Sequence, residues 1–191
     1  MAYVWGGLIA VVTLFAAFAI YRAATAIRVY TKFRGKRLVT CPEDKMAAAV
    51  SVNAAAAARA SSVKEAHIRL ERCSHWPEHE NCGQECLAQI ENDPRGSLVR
   101  SQVQQWFRGR ACAYCQQPIE ELHWHEHPPA LLSPEQKTIA WNEVAPEKLP
   151  EVFETYLPVC WSCHMAETFR REHPERVVER EEEPLRMKLY H

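Results

Sequence analysis

From Val4 to Ile20 the chain is apolar on every face that a helix would present, dominated by Val, Leu, Ile, Phe and Ala, with Tyr3, Trp5 and Tyr21 near its ends. A soluble amphipathic helix would carry a polar stripe here, and this run has none. No charged side chain occurs from Met1 to Tyr21. With the apolar part of Arg22–Ile27 the run reaches the ~20 residues that a bilayer core demands. The pattern predicts a transmembrane anchor over residues 1–27 that meets the lipid bilayer through residues 4–27. A cleaved signal peptide would open with a positive segment and close on a small-residue cleavage site. No Lys or Arg precedes the run, which argues against one.

Beyond a basic juxtamembrane segment, residues 28–36, the periodicity shortens. Arg37-Leu-Val-Thr-Cys41 and Ala47–Val52 predict a hairpin with Cys41 at its tip. Asn53 is placed to cap an alanine-rich helix, Ala54–Ala60. Ala66, Ile68 and Leu70 alternate with polar residues, which predicts a strand. Ser97 precedes a helical pattern, Leu98–Arg108, whose apolar face holds Val99, Val103, Trp106 and Phe107, and Gly109 ends it. Further on, Pro118–Trp124 and Lys137–Trp141 read as strands. Pro150 opens a helix across Glu151–Tyr156, and Met165–Glu172 reads as a helix stopped by Pro174. The charged tail to His191 is expected to be a solvated helix or a peptide lying on a partner, and the solvated reading is favoured.

Charge changes the picture of orientation. Residues 1–37 hold six basic residues (Arg22, Arg28, Lys32, Arg34, Lys36, Arg37) and no acidic one, which leaves the remainder of the chain at a net −7. The positive-inside rule then sets the N-terminus outside and the C-terminal region in the cytoplasm. An acidic soluble region disfavours general nucleic-acid binding, which depends on neutralising phosphates.

Eight cysteines are many for 191 residues. Cytoplasmic thiols stay reduced, so they read as metal ligands rather than disulfides. Cys112-Ala-Tyr-Cys115 and Cys160-Trp-Ser-Cys163, separated by 44 residues, have the spacing of a four-thiolate zinc site, because each Cys-x-x-Cys turn aims two sulfurs at one point. The other four, Cys41, Cys73, Cys82 and Cys86, are expected to form a second such site. Cys82 and Cys86 would share one face of a helix, and His75 and His79 are candidates to replace a thiolate.

A knuckle whose second pair of cysteines opens a helix resembles treble-clef zinc modules. The order Cys112/Cys115, then His125 or His127, Asn142 and Cys160/Cys163-His164 resembles the HNH nucleases over Cys112–Arg171. That resemblance implies a water-activating role for His125 or His127, a steadying role for Asn142 and a catalytic divalent ion on His164. Glu126-His127 stands where that family usually carries an Asp-His or His-His pair. Cys160-Trp-Ser-Cys163-His164 also matches the c-type haem motif, with Cys160 and Cys163 as attachment points and His164 on the iron. Four thiolates would equally hold iron as a rubredoxin-like centre or a cluster.

The expectation is therefore an α+β chain: one N-terminal transmembrane helix followed by two small metal-stabilised modules with short hairpins and helices. Residues 37–92 form the first four-cysteine module, 93–110 a connecting helix, 111–173 the second module and 174–191 the charged tail. The favoured function is a membrane-anchored, cytoplasm-facing accessory or interaction subunit of a larger membrane complex, holding two structural Zn²⁺ ions. The alternatives are an HNH-like nuclease, and a redox protein with haem c or iron.

Overall fold

The computed structural model describes residues 2–61, 68–76, 78, 81–120, 122–124 and 126–176. The strand expected from Ala66 begins in part outside these residues, as do His79, His125 and the tail from residue 177. The chain is a mixture of helices and short antiparallel strands with one long apolar N-terminal helix. It divides into two compact units, Met1–Arg108 with Val144–Thr155, and Gly109–Glu143 with Tyr156–His191.

The first unit opens with α1, Ala2–Phe33. At 1.5 Å per residue this helix is about 48 Å long. Over Trp5–Phe33 its mean hydropathy reaches 1.9, so it is long and apolar enough to cross a membrane, a test that a signal sequence also passes. Trp5, Leu14, Phe15, Phe18, Ile20 and Ile27 are all exposed, on every side of the helix. The last turns dock, where Val29 and Phe33 pack on the core of the unit. The basic stretch that follows the apolar run is thus mostly helix.

Gly35, at φ 103°, turns the chain into β1, Lys36–Thr40. β1 pairs antiparallel with β2, Ala47–Val52, and β2 with β3, Leu70–Cys73, in the order β1-β2-β3. The alternation seen in Val50 and Val52 has its physical counterpart, since Ala48, Val50 and Val52 face inward. α2, Ala54–Ala60, carries its N-cap on Asn53, whose Oδ1 accepts the Ala56 amide at 2.9 Å. Its alanines let it lie close against the unit, with Ala54, Ala57 and Ala58 buried.

Three local expectations need correction here. The third strand runs to Cys73 rather than stopping at Leu70. Cys82–Cys86 is a turn rather than a helix, because Gln84 takes φ 57°, and helix α3 starts only at Leu87 and ends at Asn92. Ser97 does not cap α4, Val99–Phe107: its hydroxyl accepts from Arg37 Nη1 at 2.8 Å. α4 buries Val99, Val103, Trp106 and Phe107, and Trp106 stacks on Phe153 of α5, Leu149–Thr155, with centroids 5.2 Å apart.

The second unit is built on three short strands, β4 (Ala130–Leu132), β5 (Thr138–Ala140) and β6 (Leu157–Val159), ordered β5-β4-β6 and antiparallel throughout. The described residues of Pro118–Trp124 form no strand. Among its described residues, isolated bridges join Pro118 to Ala111 and His123 to His127. Helix α6 runs from Trp161 to Glu172, a full turn earlier than the expected start at Met165, so Cys163 and His164 lie inside its first turns.

Candidate metal centres

In the second unit the two knuckles meet because two backbone amides tie one to the other, one through a carbonyl and one through a sulfur. The Ala113 amide donates to the Pro158 carbonyl at 2.8 Å, and the Cys160 amide donates to Cys112 Sγ at 3.3 Å. Within the first knuckle, Gln116 sits at φ 58° and its amide closes onto the Cys112 carbonyl at 3.0 Å. β6 then delivers Cys160 to the start of α6, where it is the N-cap.

The outcome is that Cys112, Cys115, Cys160 and Cys163 bring their sulfurs within 4.8 Å of one another. Two sulfurs each ~2.3 Å from a tetrahedral ion lie ~3.8 Å apart. Cys115 Sγ and Cys160 Sγ are 3.8 Å apart. The set has the donor type and spacing for a thiophilic ion, and Cys112 is its buried floor, packed with Ala130, Leu132 and Val159.

The electrostatics of these thiols are unequal. Burial pushes Cys112 upward, but amide hydrogen bonds from Cys160, Cys115 and Tyr114, with the Cys115 side chain, outweigh it and bring its pKa down to about 6. Cys160 is raised, chiefly by burial. Cys163 is raised strongly, by burial first and then by the neighbouring thiols of Cys160, Cys115 and Cys112. The Cys112 thiolate forms easily, whereas Cys160 and Cys163 hold their protons more firmly.

Among the described residues, no histidine of this unit joins that cluster. His127 and His164 both lie near Trp161, with ring centroids 6.0 and 5.7 Å from the indole. His164 is buried, its pKa lowered by desolvation against the opposing pull of Glu143. Its Nδ1 has no hydrogen-bond partner among the described residues. Asn142 is exposed on a short turn, Trp141–Glu143. His123 and His127 line an open groove of about 320 Å³ with Glu120, Trp161 and Cys160.

In the first unit Cys41, Cys73, Cys82 and Cys86 line one cavity of about 140 Å³, together with His75. β1, β2 and β3 create it, since the tip of the first hairpin and the turn after β3 lie at the same end of the sheet: the Ser74 amide still donates to the Ala49 carbonyl at 2.9 Å. Burial, reinforced by the charges of Cys82, Cys73 and Cys41, pushes Cys86 up to about 11. Cys73 is raised by burial, against a hydrogen bond from the His75 amide. The Gln84 amide donates to Cys82 Sγ at 3.2 Å. A second convergent donor set, Cys41, Asp44 and His75, has its ligand atoms within 4.8 Å of one another. Asp44 was invisible to motif reading, because a Cys-x-x-Asp pair matches no thiolate spacing.

The geometry defines a class: a chain with an apolar helix long enough to cross a membrane and a four-cysteine cluster able to hold a metal ion. No protein-family model matches it, and no curated protein or solved structure matches it either.

Proposed function

We propose that this protein is a membrane-anchored, zinc-binding accessory subunit whose metals serve structure rather than turnover. The carrying observation is the closure of Cys112, Cys115, Cys160 and Cys163 to within 4.8 Å, in a unit whose described core is small. Small units of this kind need a cross-link that burial alone does not supply. Zinc suits four thiolates and a structural role. The same convergence favours a bare ion over haem, because a haem on Cys160 and Cys163 would leave Cys112 and Cys115 unused. A second metal belongs to the cavity of the first unit.

In this reading α1 spans the bilayer with its N-terminus outside, and the two units face the cytoplasm. The partner is another protein of a membrane complex, since an anchor joined to units that assemble no catalytic constellation among their described residues suits a subunit that brackets others. The test is metal analysis and absorption spectroscopy of the detergent-purified chain. Two zinc ions per chain and no visible colour are expected. Haem or iron absorbance would replace the reading with electron transfer. Magnesium-dependent DNA cleavage abolished by His127→Ala or His164→Ala would replace it with an HNH-like nuclease.

A further inference from the structure

The turn at the tip of the first hairpin repeats the second-unit knuckle bond for bond. In the knuckle, the Cys112 amide donates to the Gln117 carbonyl at 2.9 Å and the Gln116 amide to the Cys112 carbonyl at 3.0 Å, with Gln116 at φ 58°. In the hairpin tip, the Cys41 amide donates to the Met46 carbonyl at 2.8 Å and the Lys45 amide to the Cys41 carbonyl at 3.0 Å, with Lys45 at φ 62°. Cys41-Pro-Glu-Asp44-Lys45-Met46 therefore runs parallel to Cys112-Ala-Tyr-Cys115-Gln116-Gln117. Asp44 stands where the other knuckle has its second metal-binding sulfur.

Independent geometry agrees. Cys41, Asp44 and His75 each bring a ligand atom within 4.8 Å of the others. The Asp44 carboxylate is fixed in place: Oδ1 accepts the Met46 amide at 2.8 Å, and Oδ2 faces His75 Nδ1 at 3.0 Å. The adjoining cavity is lined by the four thiols, by Glu43 and Glu85, and by no Lys or Arg among the described residues. A divalent ion on four thiolates would carry a net charge of about −2 beside those carboxylates, which low-dielectric surroundings make costly. Exchanging two thiolates for one carboxylate and one neutral imidazole reduces that charge.

We propose that the first site is a mixed centre in which a divalent, zinc-like ion is held by Cys41, Asp44, His75 and one of the thiols Cys73, Cys82 and Cys86. This rests on the two-metal reading above. Oxygen and nitrogen donors are harder than thiolate, so the first site exchanges its ion more readily than the four-sulfur site.

The experiment is ¹¹³Cd NMR of the full chain in detergent, loaded with ¹¹³Cd and labelled with ¹⁵N-histidine. Two cadmium resonances are expected. One lies at the four-thiolate position. The other is displaced upfield by its oxygen and nitrogen donors and is split by a bonded ¹⁵N. His75→Ala removes the splitting. Asp44→Cys rebuilds a Cys-x-x-Cys knuckle and moves that resonance downfield, without disturbing the other. Two unsplit four-thiolate resonances, unmoved by Asp44→Cys, would overturn the mixed centre and leave the two-metal reading standing. Binding of a single cadmium, with the first cavity empty, would overturn both.

Discussion

Arg37 Nη2 donates to the carbonyl of Lys32 at 2.5 Å, so an arginine of β1 closes the last turn of α1. Its side chain is fully buried. Nη1 reaches the Pro94 carbonyl and Ser97 Oγ, and the guanidinium lies 6.0 Å from the centre of the Phe33 ring. Burial lowers its pKa, yet an arginine remains charged at any working pH. Lysine would keep the charge but lose the fork that serves three acceptors. Arg37→Met leaves those acceptors without a donor and should destabilise the first unit by about 2–4 kcal/mol. Denaturant titration followed by tryptophan fluorescence reads this, with Arg37→Lys falling between.

Folding of the second unit should depend on its thiols and not on its groove histidines. Cys112→Ser or Cys163→Ser is expected to abolish metal uptake there and to unfold the unit, since each site contributes folding energy through all its ligands. His127→Ala, at an exposed position, should keep both metal and fold. Circular dichroism and metal content of the three variants decide the matter; a cysteine variant that stays folded and loaded would count against a structural metal.

The thiol pKa values predict how metal uptake responds to pH. Near neutrality Cys112 is already ionised, at about 6, while Cys160 and Cys163 are held protonated. Zinc entering the metal-free second site at pH 7.5 must therefore displace the protons of Cys160 and Cys163. Affinity should rise with pH above neutrality, while those two thiols still hold protons, and fall more steeply below about pH 6, where Cys112 also binds one. Proton release in weak buffer, measured alongside calorimetric titration, checks the sign; uptake without release would contradict it.

Gly35 makes the bend between α1 and β1 at φ 103°, and a Cβ there would come to 3.2 Å from Leu98 Cδ2. Gly35→Ala is expected to cost about 1–3 kcal/mol through backbone strain. It should also raise the rate of limited proteolysis near residues 34–36. Unchanged thermal stability would show that the bend relaxes freely.

Much of this was readable from the residues alone, where the signal is local. A run of uncharged residues from Met1 to Tyr21 specifies α1, and two residues between cysteines specify a knuckle. Asn53 caps α2 as its position implies. What escaped was long-range. Arg37 looked like the sixth flanking charge of the anchor, yet its partners come from Lys32, Pro94 and Ser97. Ser97 looked like a helix cap because nothing nearby in sequence announces the arginine that takes its hydroxyl. Asp44 gives no ligand signal in sequence, because its likeness to Cys115 lies in backbone hydrogen bonds and not in residue type.

The segment Val144–Thr155 leaves the second unit's stretch of chain and belongs to the first. Its Leu149 and Val152 are buried, and the Phe153 carbonyl accepts the Trp106 indole N–H at 2.9 Å. A gene fragment ending at Arg108 would thus encode a first unit stripped of part of its wall, with Trp106 bared to water. One spanning residues 109–176 would carry a helix whose apolar side has nothing of its own to cover. Neither half can be cut out as a contiguous piece, so dissecting the protein calls for a spliced design that moves 144–155 to follow Arg108 and closes the gap it leaves with a short linker.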